Sequence, residues 1–142
     1  MPEAADTERL LRQLKSISLF SRCSDYELSL VARRASFVRV GSGQPIVRAG
    51  DAGSTMFMVL DGTAESVAGG VATHSFGTGD YFGELAALSP AARATDVIAT
   101  TDCVLGSLDT NTIYTLVDTI PGVARKMLEG LAAGMRERLG SP

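Results

Sequence analysis

Ten of the chain's 15 glycines fall between Gly41 and Gly83, and the chain around them is cut into short apolar stretches. Phe37-Val38, Ile46-Val47, Met56 to Leu60 and Val97 to Ala99 are the clearest of these. Segments this short, separated by turn residues every several positions, predict strands that together make a small β-barrel or jelly roll. Asp51-Ala52-Gly53, Asp61-Gly62 and Gly77-Thr78-Gly79-Asp80 are the predicted turns, because glycine supplies the positive φ such turns need. Ala68-Gly69-Gly70 reads as the tip of a short, uncharged hairpin.

On either side of this stretch the apolar period is helical. Leu10, Leu11, Leu14 and Ile17 predict an amphipathic helix over Thr7 to Leu19. Ser24 followed by Glu27 has the form of a capping box and opens a second helix through Leu28, Val31 and Ala32. After the strands, Asp109 or Thr110 caps a short helix holding Ile113, Leu116 and Val117. Pro121 is the expected first-turn residue of a last helix carrying Val123, Met127, Leu128, Leu131, Met135 and Leu139, and Gly140-Ser141-Pro142 ends it. The expected fold is mainly β with flanking helices. It is read as one domain over 1–142, with a helical segment 7–34, a β-roll 35–109 and C-terminal helices 110–139.

Composition narrows the function. The formal net charge is −3 and no Lys/Arg run exceeds two residues, so the basic face of a nucleic-acid binder is missing. No apolar stretch has the length of a membrane span, and Met1 to Asp6 carries acids where a signal peptide would be apolar. Cys23 and Cys103 are too few for a disulfide framework or an all-cysteine cluster, and are expected as reduced thiols in a cytoplasmic protein. His74 is the single histidine, so a barrel metal enzyme lacks its ligand set. It is expected at the surface or the rim of a pocket. No segment places a nucleophile on a strained turn, and the chain is expected not to be an enzyme.

The stretch from Asp80 to Thr95 carries the chemistry. Gly83 starts a short helical turn, Glu84-Leu85-Ala86-Ala87-Leu88, which Ser89-Pro90 stops. A helix start presents free N–H groups that suit an anion, and a residue without Cβ lets a phosphate approach the backbone. Arg93 lies nine residues beyond Glu84. Its guanidinium can grip two phosphate oxygens in a fork, while Glu84 orients it and accepts from a ribose hydroxyl. These groups fit a small phosphorylated sugar.

Phe82-Gly83-Glu84-Leu85-Ala86, followed at fixed distance by Arg93-Ala94-Thr95, closely resembles the phosphate-binding cassette of the cyclic-nucleotide-binding domain family. Upstream, the run from Gly43 through Ile46, Gly50-Asp51, Gly53 and Met56-Phe57 to Gly62 resembles that family's first strands and turns. The likeness spans roughly Leu19 to Leu139. It implies a sensor module whose cassette, residues 82–95, and final helix rearrange around the ligand. It further implies that Arg93 pairs with the cyclic phosphate and Glu84 takes the ribose 2′-hydroxyl. Phe82, Gly83, Leu85, Ala86, Ala94 and Thr95 complete the implied site. Members favouring cGMP often carry Thr or Ser directly after the arginine. Ala94 stands there in this chain, so cAMP is the implied ligand, with cGMP or another phosphorylated metabolite as alternatives.

The family usually caps the base from its last helix, which makes Leu131, Met135, Arg136 and Arg138 candidates for that role. Ser89-Pro90-Ala91-Ala92 departs from the family's usual residues before the arginine but keeps the spacing. The implied output is a homodimer or effector contact through the C-terminal helix. The alternative reading is a regulatory or dimerising fragment of a larger transcription factor, enzyme or channel. No cofactor is implied.

Overall fold

The computed structural model describes residues 4–140, so Ser141 and Pro142, expected to end the last helix, lie outside the described residues. In order, the elements are α1 (Ala4–Leu14), a 3-10 turn (Ser18–Phe20), α2 (Asp25–Arg34), β1 (Ser36–Val40), β2 (Pro45–Val47), β3 (Ala52–Gly53), β4 (Thr55–Asp61), β5 (Ala64–Ala68) and β6 (Val71–Phe76). They continue with β7 (Tyr81–Phe82), α3 (Glu84–Leu88), β8 (Ala91–Ala92), β9 (Asp96–Ala99), β10 (Cys103–Asp109), α4 (Thr110–Thr119) and α5 (Val123–Leu139). They form two compact units: the strands and α3 in Ala35–Thr110, and a helical unit from the segments on either side.

The β unit is a roll of two four-stranded sheets, ordered β1-β10-β4-β7 and β2-β9-β5-β6, with a small β3-β8 pair. Every pairing is antiparallel. In β4, Met56, Met58, Val59 and Leu60 are all buried, so the strand is covered on both faces. Val59, Ala64, Phe82, Val97, Ala99, Cys103 and Leu105 make a buried cluster inside the roll, with Ile46, Val47, Phe57 and Phe76 packed on it. Each large apolar side chain buried this way contributes about 1.5–3 kcal/mol. Gly69 and Gly70 both have positive φ, the backbone of a two-residue hairpin turn, and link β5 to β6 where the short tip was expected.

One predicted turn is displaced. Asp51-Ala52-Gly53 is not itself the turn: the positive φ falls on Gly50, and Asp51 N–H donates to the Arg48 carbonyl. Ala52 and Gly53 instead pair with Ala92 and Ala91. Sequence pattern alone does not separate a glycine that turns the chain from one that makes room for a neighbour.

In the helical unit, α1 begins at Ala4 and stops at Leu14, so the helix expected over Thr7 to Leu19 is corrected at both ends. Ser16 ends it: its N–H and hydroxyl both donate to the Gln13 carbonyl, and Ile17 and Leu19 are buried from the tighter segment that follows. The capping box at α2 is formed. Ser24 N–H donates to Glu27 Oε1 at 2.8 Å, and Glu27 N–H donates back to Ser24 Oγ at 3.2 Å. Thr110 opens α4, and its hydroxyl donates to the Ser54 carbonyl.

The last helix starts two residues beyond Pro121, because Gly122 takes φ +83 and holds Pro121 outside the helix. Val123, Met127, Gly130 and Gly134 form its buried face. Gly130 and Gly134 lie against Ser18, where Cβ atoms would strike the Ser18 carbonyl and side chain. No helix among the described residues is long and apolar enough to cross a membrane.

Candidate functional site

The site lies within the β unit and is organised by the segment from Tyr81 to Thr95. β7 pairs with β4, setting Phe82 opposite Phe57. The chain then reverses at Gly83, whose φ of +83 is the left-handed region that favours glycine. Five residues of α3 follow, and Ser89 ends them in an extended conformation (φ −143, ψ 100), as the residue before a proline requires.

β8 then pairs with β3, and this pairing fixes Arg93. Arg93 N–H donates to the Asp51 carbonyl at 2.8 Å, and Gly50 N–H donates to the Arg93 carbonyl at 2.9 Å. The side chain runs inward across Gly53, where a Cβ would sit only 2.7 Å from its Cδ and Cζ. Its Nη2 donates to the Thr55 carbonyl at 2.7 Å. Nη1 lies beside Gly83, 2.8 Å from where a Cβ would be. Two glycines therefore clear the space that one guanidinium occupies.

Electrostatically this guanidinium is incomplete. Burial lowers its pKa, since the charged form is partly desolvated. Among the described residues it pairs with no carboxylate, and Thr55 uses one of its five N–H donors. A half-buried cation with free donors is completed by an anion.

Two cavities flank Arg93. One, of about 230 Å³, brings Phe82, Gly83, Arg93, Ala94 and Thr95 together, five of the eight expected site residues. Its remaining wall is Val47, Ser66, Phe76 and Val97, residues the sequence did not single out. The other, of about 200 Å³, is lined by Arg48, Asp51, Ser54 and Thr55 with Arg93 again.

Glu84, Leu85 and Ala86 do not line the first cavity. Glu84 is half-buried at the head of α3, and the group that holds Arg93 is the Thr55 carbonyl rather than Glu84. A backbone acceptor leaves no trace in residue identity, so Thr55 had no sequence signal. Leu85 is exposed, and the Ala86 carbonyl faces the Thr110 hydroxyl. His74 is exposed on β6 with its ring 4.8 Å from that of Phe76, and it does not line the first cavity. On α5, Met135, Arg136 and Arg138 are exposed and Leu131 half-buried. Cys23 and Cys103 are buried free thiols, and burial pushes both pKa values up.

Comparison with known proteins gives this geometry a lineage. A cAMP-dependent protein kinase regulatory subunit from Hypocrea atroviridis is 30% identical over 125 residues, covering 87% of this chain and 27% of the relative. The chain spans about a quarter to a third of the length of the curated relatives it matches. The N-terminal domain of a transcriptional regulator from Streptomyces coelicolor A3(2) superposes with a TM-score of 0.82 at 21% identity, over 91% of this chain and 94% of that one, and shares the fold. The regulatory domain of Toxoplasma gondii PKA, crystallised with cAMP, superposes with a TM-score of 0.74 at 27% identity, over 82% of this chain and 46% of that one. The family profile of the cyclic nucleotide-binding domain matches residues 37–119, which take in the whole segment that shapes and fills the space around Arg93. That match covers more than half of the chain, and the chain belongs to the cyclic nucleotide-binding domain family.

Proposed function

We propose that the chain is a regulatory module that binds cAMP, with the cyclic phosphate on Arg93. The observation that carries this is the guanidinium itself, half-buried, fixed by Thr55 and unpaired with any carboxylate among the described residues. The cyclic phosphate supplies the missing anion, and each charge-assisted hydrogen bond contributes about 1.5–3 kcal/mol. Glu84, beside Gly83, takes the ribose hydroxyl. Ala94 lines the cavity with no hydroxyl directly after the arginine, which favours cAMP over cGMP.

Isothermal titration of cAMP against the wild type and Arg93→Glu tests this. The variant loses at least about 100-fold in affinity, because several charge-assisted bonds become repulsion. Its unfolding midpoint stays near that of the wild type. Tight binding by the variant would sink the reading.

The output of such a module is a change in what its last helix contacts, set by differential contacts in the bound and free states. Leu128, Met135 and Leu139 are exposed along α5, on positions separate from its buried Val123, Met127, Gly130 and Gly134. This stripe is the proposed contact for a second copy or an effector. Light scattering with and without cAMP reads it, and a monomer in both states counts against the second copy.

A further inference from the structure

The wall of the 230 Å³ cavity is apolar away from Arg93 and Thr95, with one exception. Val47, Phe76, Phe82 and Val97 supply carbon, and Ser66 supplies a hydroxyl from the middle of β5. Ser66 is only 7% exposed, and it is the buried polar side chain among the residues lining the cavity. A serine at an inward strand position is expensive unless its hydroxyl is used.

A bulge provides part of that use. β6 pairs with β5 in a register that jumps between Ser66 and Val67, from His74 to Ala72, so Thr73 is the extra residue. Bulges re-aim side chains, and here the Thr73 hydroxyl meets that of Ser66, with 2.8 Å between Oγ1 and Oγ. Each hydroxyl has one proton. Either hydroxyl can donate in the 2.8 Å contact; in the arrangement that also makes the 3.4 Å contact from Thr73 Oγ1 to the Ser66 carbonyl, the shorter bond uses the Ser66 proton. Ser66 Oγ then keeps its lone pairs but no free hydrogen. It meets the cavity as an acceptor.

We infer that Ser66, set by Thr73, is a specificity-determining residue that accepts a hydrogen bond from the exocyclic amino group of the ligand's base. The inference rests on the cyclic-nucleotide reading. With the phosphate on Arg93, the base occupies the apolar remainder of the cavity, where Ser66 is the polar group. An amino group satisfies an acceptor, a base carbonyl repels it, and an unsubstituted ring edge leaves it unpaired. Thr73 touches no ligand in this scheme and acts as a positioning residue for the Ser66 proton.

Titration calorimetry with three probes tests it: cAMP, purine riboside 3′,5′-cyclic phosphate, which lacks the amino group, and cyclic IMP, which carries a carbonyl in its place. Wild type should bind cAMP about fivefold or more tightly than the deamino compound, the worth of one neutral hydrogen bond. Ser66→Ala should bring that ratio to about one while leaving affinity for the deamino compound within about twofold. Thr73→Val frees the Ser66 proton and should shift the cAMP-to-cyclic-IMP ratio toward cyclic IMP. Thr73 is exposed, so this variant decides the matter even where Ser66→Ala disturbs folding. A wild type with no preference for the amino group, a preference surviving Ser66→Ala, or an unmoved ratio in Thr73→Val overturns the assignment while cAMP binding stands. A wild type that binds none of the three overturns the cyclic-nucleotide reading as well.

Discussion

Gly53 and Gly130 are both buried glycines that let a neighbour in where a Cβ would otherwise stand, yet they serve different ends. At Gly53, in the β unit, the neighbour is the flexible side chain of Arg93. At Gly130, in the helical unit, it is the backbone carbonyl of Ser18. A side chain can move aside at little cost to the fold, but it then no longer holds its position. A backbone carbonyl cannot move without taking its segment along. Crowding should therefore fall on binding at the first position and on stability at the second.

The larger effect is expected at Gly130. In an ordinary helix interior, Gly→Ala stabilises by about 1 kcal/mol, because alanine has less backbone entropy to lose. Here the added methyl meets Ser18, and overpacking of this kind costs about 1–3 kcal/mol. Gly130→Ala should thus lower the unfolding midpoint, and the sign is the test: a rise would show that α5 does not need the close approach. Gly53→Ala should leave the midpoint nearly unchanged and weaken cAMP about tenfold, or about 1.4 kcal/mol, as the guanidinium is pushed off its bond to Thr55. Unchanged affinity would separate Arg93 from the ligand. A lowered midpoint with intact affinity would make Gly53 a second Gly130.

The same contrast explains how far the sequence could be read. Strand-and-turn rhythm follows from local physics, so the β-roll, the Gly69-Gly70 tip and the Ser24–Glu27 box are legible from residue type and spacing. The short helix after Gly83 is legible for the same reason. Arg93 stands out through its resemblance to a known cassette. What could not be read is whatever depends on chain segments distant in sequence. Thr55 holds Arg93 through a carbonyl that any residue would present. Ser66 and Phe76 become cavity wall only when β5 and β6 pair and register with β9. Gly53 looked like a turn because its neighbour, Arg93, lies 40 positions away. The end of the first helix was misplaced because Ser16, a side chain of weak propensity, competes for the Gln13 carbonyl.

Charge gives the comparison its smallest and most specific test. Arg93 is a cation that its unit leaves without a counter-charge, whereas Lys126 of the helical unit is fully answered. Its Nζ donates to Glu27 Oε1 at 2.7 Å, and the same oxygen accepts from Ser24 N–H. These bonds, first the one from Lys126 and then the one from Ser24, lower the Glu27 pKa from its ordinary 4.5. A carboxyl with a lowered folded pKa adds stability that is fully present above the ordinary value. That stability is lost as pH falls through the folded value beneath it. Lys126 is 38% exposed, so water screens the pair and its charge adds little to stability. Glu27→Gln keeps an acceptor for the capping box but removes the charge. Thermal unfolding at pH 7 should then show the variant melting slightly below wild type, with the gap narrowing as pH falls below 4.5 and cAMP affinity at pH 7 unaltered. A gap that did not narrow at all below pH 4.5 would assign the loss to packing rather than charge. A loss of cAMP affinity would mean that this internally satisfied pair, unlike the Gly53 contact, reaches the site after all.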